Sequence, residues 1–246
     1  MDLTTDTPVA EVATGHPASI RVFQRHEIDF CCGGKRPLGE VCAEKGLAFD
    51  ALRAELEQAM TQSSPPIGDW KGESLTRLCA HIVARYHFSL RSELPRLRGM
   101  VEKVFRVHRE NHPEMAGIAR AFRTMQEDLG PHMMKEERVL FPYIQEMEGV
   151  AAAGDALAGS AFGTVKNPIS TMEAEHESVG QAIAEMRRLS GGFQAPADAC
   201  NTFRGLYHGL AELEGELHQH IHLENNVLFP RAVTLEQTLL AAATTR

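Results

Sequence analysis

The segment His132-Met-Met-Lys-Glu136-Glu-Arg-Val-Leu140-Phe141-Pro142 returns 88 residues later as His220-Ile-His-Leu-Glu224-Asn-Asn-Val-Leu228-Phe229-Pro230. Both copies place a Glu four residues after a His and a Leu-Phe-Pro triplet at +8 to +10. On a helix, residues i and i+4 lie on one face, one turn apart. Each copy therefore offers an imidazole and a carboxylate side by side, flanked by apolar residues suited to a core. That is half of a metal site, written on two helices.

The surroundings of the repeat are helical in composition. Long stretches rich in Ala, Leu, Glu, Met and Arg are punctuated by Gly and Pro, and no long alternating β-branched run occurs. An all-α protein is expected. The polar stretch Thr61-Gln-Ser-Ser-Pro-Pro-Ile-Gly-Asp reads as a break, which divides the chain into a small helical unit (1–62), a linker (63–72) and a larger unit (73–246). In the small unit, apolar spacing around Ile20, Phe23 and Ile28, around Leu38–Val41, and around Phe49, Leu52 and Leu56 predicts two or three short helices. A glycine turn follows Cys31 and Cys32.

The larger unit carries four long helical patterns, from about Glu73 to Val107, Pro113 to Met147, Asn167 to Gly191, and Pro196 to Val233. Pro95 is a candidate kink in the first, and Gly130-Pro131 is expected to interrupt the second. Asn167-Pro168 reads as an N-cap followed by Pro at the first helical position. Residues 149–164 read as a loop. Four such segments predict an up-down four-helix bundle.

Each of the four helices supplies an inward candidate: His87, His132 with Glu136, His176, and His220 with Glu224. Four neutral imidazoles and two carboxylates suit a pair of Fe, Mn or Zn ions with the glutamates between them, and not the all-oxygen shell of Ca²⁺ or Mg²⁺. His108 lies 21 residues beyond His87, roughly 30 Å along a helix, too far for the same centre. His218 and His222 flank His220 by two residues and are expected to point away. His16, His26, His81, His112 and His208 have no repeat partner and read as surface or supporting residues. Phe141 and Phe229 are placed as shields of the site. Glu137, Glu173, Glu175 and Glu216 are candidates to accept hydrogen bonds from ligand imidazoles or to relay protons, or else to be solvated helix charges.

The net charge of −8 argues against nucleic acid or an anionic membrane as main partner. No apolar run approaches the roughly 18–20 residues of a membrane span. The start of the chain lacks a basic-then-apolar signal pattern, and the five cysteines are odd in number without framework spacing; a cytoplasmic protein is expected. Adjacent Cys31 and Cys32 would strain a disulfide and lack zinc-clip spacing. Two readings stay open: both thiols exposed on a flexible glycine turn, where they would accept a metal, exchange with a thiol or take part in NO chemistry, or a pair of small buried residues. Cys42, Cys79 and Cys200 lie in helical patterns and are expected in the core.

The His…His-xxx-Glu…His…His-xxx-Glu series resembles the hemerythrin-like domain. Phe30-Cys31-Cys32-Gly33-Gly34, followed by Leu38-Gly-Glu-Val-Cys42-Ala-Glu-Lys-Gly46, resembles the short ScdA-type domain joined to it in the iron–sulfur cluster repair di-iron proteins. The resemblance covers nearly the whole chain. It implies an oxo- and carboxylate-bridged pair of non-haem Fe ions in the bundle. It also implies a role in nitrosative and oxidative stress: damaged iron–sulfur proteins as partners, NO or O₂ as small ligands, and a monomer or homodimer. Oxygen-carrying hemerythrins have a second His four residues after the one on the third helix, where this chain has Gly180. The resemblance thus implies an under-ligated, reactive centre, with Cys31 and Cys32 delivering or docking and Glu175 supporting. Three rival readings share the same ligands: an NO reductase, a passive NO or O₂ binder, and a structural zinc bundle.

Overall fold

A computed structural model describes residues 2–62, 70 and 72–244, so most of the expected linker 63–72 lies outside the described residues. The small unit comprises α1 (Val9–Gly15), a 3₁₀ turn at Pro17–Ser19, α2 (Ile20–Arg25), α3 (Leu38–Lys45) and α4 (Phe49–Gln62). This is one helix more than its apolar spacing predicts, because Val9, Val12 and Ala13 bury an early helix against Phe23, Phe30 and Leu56. No β-strand occurs among the described residues, and none of their helices is long and apolar enough to cross a membrane.

The larger unit is an up-down bundle of four long helices. The first is α5 (Leu75–Ile82) and α6 (Phe88–His108), joined through a π-helical turn at Val83–His87. The second is α7 (Glu114–Lys135) and α8 (Phe141–Ala153), joined through a π-helical turn at Glu136–Leu140. The third is the uninterrupted α9 (Lys166–Leu189). The fourth is α10 (Asn201–Leu223) and α11 (Phe229–Thr244), joined through a π-helical turn at Glu224–Leu228.

Core stripes explain why these residues are helical. On α9 the buried residues are Ile169, Met172, His176, Val179, Ile183 and Met186, and on α7 they include Met115, Ile118, Phe122, Met125, Leu129 and His132. Both follow the alternating three-and-four spacing of an inward helix face. On α10 the stripe runs Phe203, Leu206, Leu210, Leu213, Leu217 and His220, and reaches Glu224. The stripes are apolar at both ends and turn polar in the middle. A layer of His and Glu consequently separates one apolar cluster around Leu97, Phe122 and Phe203 from another around Leu78, Ile144 and Leu228.

Several boundaries differ from expectation for identifiable reasons. Gly130-Pro131 does not interrupt the second helix: Leu129, His132 and Met133 are all buried there, and that packing outweighs the roughly 3 kcal/mol that an interior Pro costs. Pro95 likewise lies inside continuous α6. The third helix starts at Lys166, not behind an Asn167 cap; the residue that leads into it, Val165, donates its amide to the buried carboxylate of Glu236 from α11 at 2.8 Å. Glu148 meets the start of α5, accepting from Leu75 N and Thr76 N at 2.8 and 2.9 Å. The second helix runs on to Ala153 and stops at Gly154, whose φ of 71° suits a residue without a side chain. The fourth helix begins at Asn201 and continues to Thr244.

The small unit docks on α10 and the turn behind it. Phe30 sets its ring edge-on to His218 and His222, and Asn226 Nδ2 donates to Cys31 O at 3.1 Å. His222 Nδ1 donates to Phe30 O at 3.2 Å, and Arg187 bridges Glu27 and Glu214. His218 and His222 thus face the small unit, away from the His/Glu layer. Burial pushes the His222 imidazole down to about 4, so the ring is neutral there. An unfolded ring takes up a proton below about 6.5 and the folded one only below about 4; between those values the unfolded state binds more protons, so stability is lost as the pH is lowered. In the metal-free protein, the urea-unfolding difference between wild type and His222→Gln should shrink by about 3 kcal/mol from pH 6.5 to pH 4. A pH-independent difference would rule out neutral burial of this ring.

Candidate metal centre

The buried layer contains two cradles that share both glutamates. His87 and His220 face Glu136 and Glu224 on one side; His132 and His176 face the same two carboxylates on the other. All six residues are essentially inaccessible to solvent. Glu136 Oε2 lies 3.3 Å from His87 Nε2 and 3.3 Å from His132 Nε2. Glu224 divides its oxygens, with Oε1 2.8 Å from His220 Nε2 and Oε2 3.1 Å from His176 Nε2. Each carboxylate therefore reaches both cradles.

The polar atoms fit metal ions better than they fit each other. Within each cradle two Nε2 atoms face one another, His87 with His220 at 3.2 Å and His132 with His176 at 3.0 Å. Two cis nitrogens on one ion, each about 2.1 Å from it, would stand about 3.0 Å apart. Both oxygens of Glu136 and Oε2 of Glu224 are buried without a hydrogen bond of proper geometry. Orphaned buried carboxylate oxygens are costly unless something cationic meets them. Without metal, burial pulls His87 and His132 down, but the neighbouring Glu136 and Glu224 outweigh it and push them up to about 10 and about 9. The four-nitrogen, two-carboxylate set is one that Fe, Mn or Zn accepts.

The outer faces of the rings aim their Nε2 atoms inward. His87 Nδ1 donates to Glu137 Oε1 at 2.7 Å and His132 Nδ1 to Glu175 Oε2 at 2.9 Å, and those carboxylates are met by Arg91 and Lys135. His176 Nδ1 donates to Asn225 Oδ1 at 2.8 Å, a neutral partner. His220 Nδ1 has no hydrogen bond; its ring stacks on Tyr86, with centroids 5.3 Å apart. Phe141 stacks on His87 and Phe229 on His176, so the Phe of each repeat lies against a site ring. Of the four candidate supporting glutamates, Glu137 and Glu175 accept from imidazoles. Glu216 pairs with Arg85 instead, and Glu173 lies by Lys35.

The π-helical turns begin at Glu136 and Glu224 and end at His87. Each adds a residue to its turn, which turns the face beyond it without breaking the helix. The repeat carried a signal of this in its uniform +4 steps: His132, Glu136, Leu140 and Ile144 are all buried, where an ordinary stripe alternates three and four. Asn225 and Tyr86 had no sequence signal, because neither belongs to a repeated pattern.

Cys31 and Cys32 do not sit on an exposed, flexible turn. Cys31 is buried in the bundle cluster, and the carboxylate of Asp29 accepts from the amides of Cys31, Cys32 and Gly33 at 3.0, 2.9 and 2.9 Å. Cys32 Sγ is 3.8 Å from His176 O and 3.7 Å from where a Cβ on Gly180 would stand. Gly180 thus lies against the dicysteine turn beside His176, where a Cβ would just touch Cys32 and a longer side chain would reach the turn. Asn225 joins the two, since its Nδ2 also contacts Cys31 O at 3.4 Å. Cys42 and Cys79 are buried, but Cys200 is exposed at the N-cap of α10, beside His108 Nε2 at 3.3 Å. As the residue before the first helical turn, it lies off the inward stripe that begins at Phe203.

Paired His/Glu cradles buried at mid-bundle make this a metal-binding helix-bundle protein. Residues 80–232 match the hemerythrin HHE cation binding domain and residues 5–60 match ScdA_N, a domain of unknown function. The chain is 41% identical over 222 residues to the iron–sulfur cluster repair protein YtfE of Yersinia pseudotuberculosis, covering 90% of this chain and 94% of that one. It is 40% identical over 228 residues to the Pectobacterium carotovorum protein of that name, covering 93% and 97%, and 38% identical over 231 residues to the Enterobacter one, covering 94% and 98%. The chain belongs to the hemerythrin HHE family and, within it, to the two-domain group of these YtfE proteins.

Partners on the outer faces of ligand imidazoles typically carry 10–100-fold in metal affinity. Glu175→Ala and Asn225→Ala should each weaken metal retention by about that factor, read as the rate and extent of loss to a competing chelator. Retention equal to wild type would mean that these hydrogen bonds do not position the rings.

Proposed function

We propose that this protein repairs iron–sulfur clusters damaged by nitrosative and oxidative stress, using two non-haem Fe ions held by His87, His132, Glu136, His176, His220 and Glu224. The carrying observation is the pair of cradles sharing both carboxylates, in a chain of which 90% or more is matched by proteins named for cluster repair. Bound iron would supply redox chemistry and affinity for NO or peroxide-level oxidants. The chain's own contribution is separable from that. Glu136 and Glu224 tie the two ion positions together, and two imidazoles plus two shared carboxylates leave each position short of a full six-donor shell. Two apolar clusters keep bulk water from the layer, and Phe141 and Phe229 cover two of its rings. Cys31 and Cys32 would deliver or dock; the contact of Cys32 Sγ with His176 O at 3.8 Å supports that reading. Five free cysteines support a cytoplasmic setting.

The test pairs metal analysis with two kinds of variant. Glu136→Ala and Glu224→Ala should lose iron and all repair activity. Cys31→Ser/Cys32→Ser should keep the iron yet fail to restore a damaged cluster enzyme; normal repair by that variant would sink the delivery role.

One observation favours NO reduction as a second reading. His132 Nδ1, Glu175 and the half-exposed Lys135 form a hydrogen-bonded line from the buried layer toward solvent, a candidate proton path. Reduction joins two NO with two electrons and two protons to give N₂O and water, so it needs such a path. The reduced protein should then release N₂O over many turnovers with added reductant, and Glu175→Gln should slow it. A single stoichiometric burst would count against catalysis.

A further inference from the structure

The dicysteine turn is more ordered than docking alone requires. Asp29 holds the backbone of residues 31–33 through three amide hydrogen bonds. That grip sets the two thiol sulfurs 3.7 Å apart, with Cys31 Sγ 3.3 Å from Asp29 Oδ1. A disulfide would need them at about 2.05 Å. Two thiolates on one tetrahedral ion at about 2.3 Å stand about 3.8 Å apart. The spacing is that of a chelate.

The geometry points to a third metal site, formed by Asp29, Cys31 and Cys32, for a borderline or thiophilic divalent ion such as Fe²⁺ or Zn²⁺. The three donor atoms lie within 4.8 Å of one another. The ion replaces the Cys31 thiol hydrogen now directed at Asp29 Oδ1 and the hydrogen of Cys32; one divalent ion enters and two protons leave to solvent, with no change in oxidation state. Three protein donors make an open site, whereas structural sites close with four. The open side meets a cavity of about 770 Å³, whose walls include Gly180, Glu177 and His218. An incoming thiolate or imidazole from a client protein could complete the shell there.

The site differs from the bundle cradles in donor type, in depth and in access. It is coupled to one of them, through Cys32 against the His176 carbonyl and through Asn225, which touches both His176 and Cys31. A metal handed between the bundle and a client would have a thiolate station on its way; that role rests on the repair reading above, while the site itself rests on the turn.

The experiment adds Co²⁺ to iron-loaded, thiol-reduced protein without oxygen, in a Cys200→Ser background that removes the exposed Cys200–His108 pair. Expected are one equivalent of bound Co²⁺, sulfur-to-cobalt charge-transfer absorption, and two protons released to a pH dye. Cys31→Ser/Cys32→Ser and the single Cys32→Ser should abolish the absorption while keeping the bundle iron and the helical circular dichroism. Asp29→Asn, whose Oδ1 can still accept from the amides of Cys31 and Cys32 although its Nδ2 cannot accept from Gly33 N, should weaken Co²⁺ binding about tenfold or more. No thiolate absorption in the parent protein, or the same absorption in the double variant, overturns the site. If cobalt binds as stated but the double variant still restores clusters, the site stands and its delivery role falls.

Discussion

Two carboxylates with no solvent exposure, Glu136 and Glu224, set the terms for the rest of the molecule. Burying an ionised carboxylate is unfavourable by many kcal/mol unless cations and donors surround it. Here four imidazoles from four different helices do so, and two of those rings are pushed well above their ordinary values by the carboxylates. The cradle is therefore assembled only when all four helices are in place. Apolar clusters on both sides of the layer hold the helices at that spacing, and the polar layer in turn fixes their register, since a sliding helix would leave a charge uncompensated.

The outer hydrogen bonds divide the site unevenly. His87 and His132, one in each cradle, donate to carboxylates, which strengthens a ring as a donor to metal. His176 donates to a neutral amide and His220 to nothing. The His132/His176 cradle is also the one against which the small unit rests, through Cys32, Asn225 and Gly180. Chemistry at the dicysteine turn and chemistry in the bundle are thus within one layer of contacts.

Much of this was legible from the chain. The repeat at His132 and His220 is a local pattern on a helix of known pitch, and the bundle and the six converging residues follow from it together with His87 and His176. Exclusion of His218 and His222 also followed from pitch alone. Helix ends were less legible, because Glu236 and Glu148 meet helix starts 71 and 73 residues distant in sequence. Pro131 was misleading, since its local cost is overridden by burial on either side. Cys200 was expected in the core because the helical pattern was drawn from Pro196, whereas the helix begins at Asn201.

What the chain determined by itself is the chemistry: imidazoles and carboxylates at helical spacing, two thiols side by side, and a glycine where a longer residue might have stood. Local periodicity suffices for that, because it concerns neighbours on one turn. Tertiary structure alone decided that Glu136 and Glu224 each reach both cradles, that Asn225 and Tyr86 back two of the rings, and that Cys32 rests against Gly180. These depend on where separate helices and the small unit come to rest, and that is set by packing of the whole core.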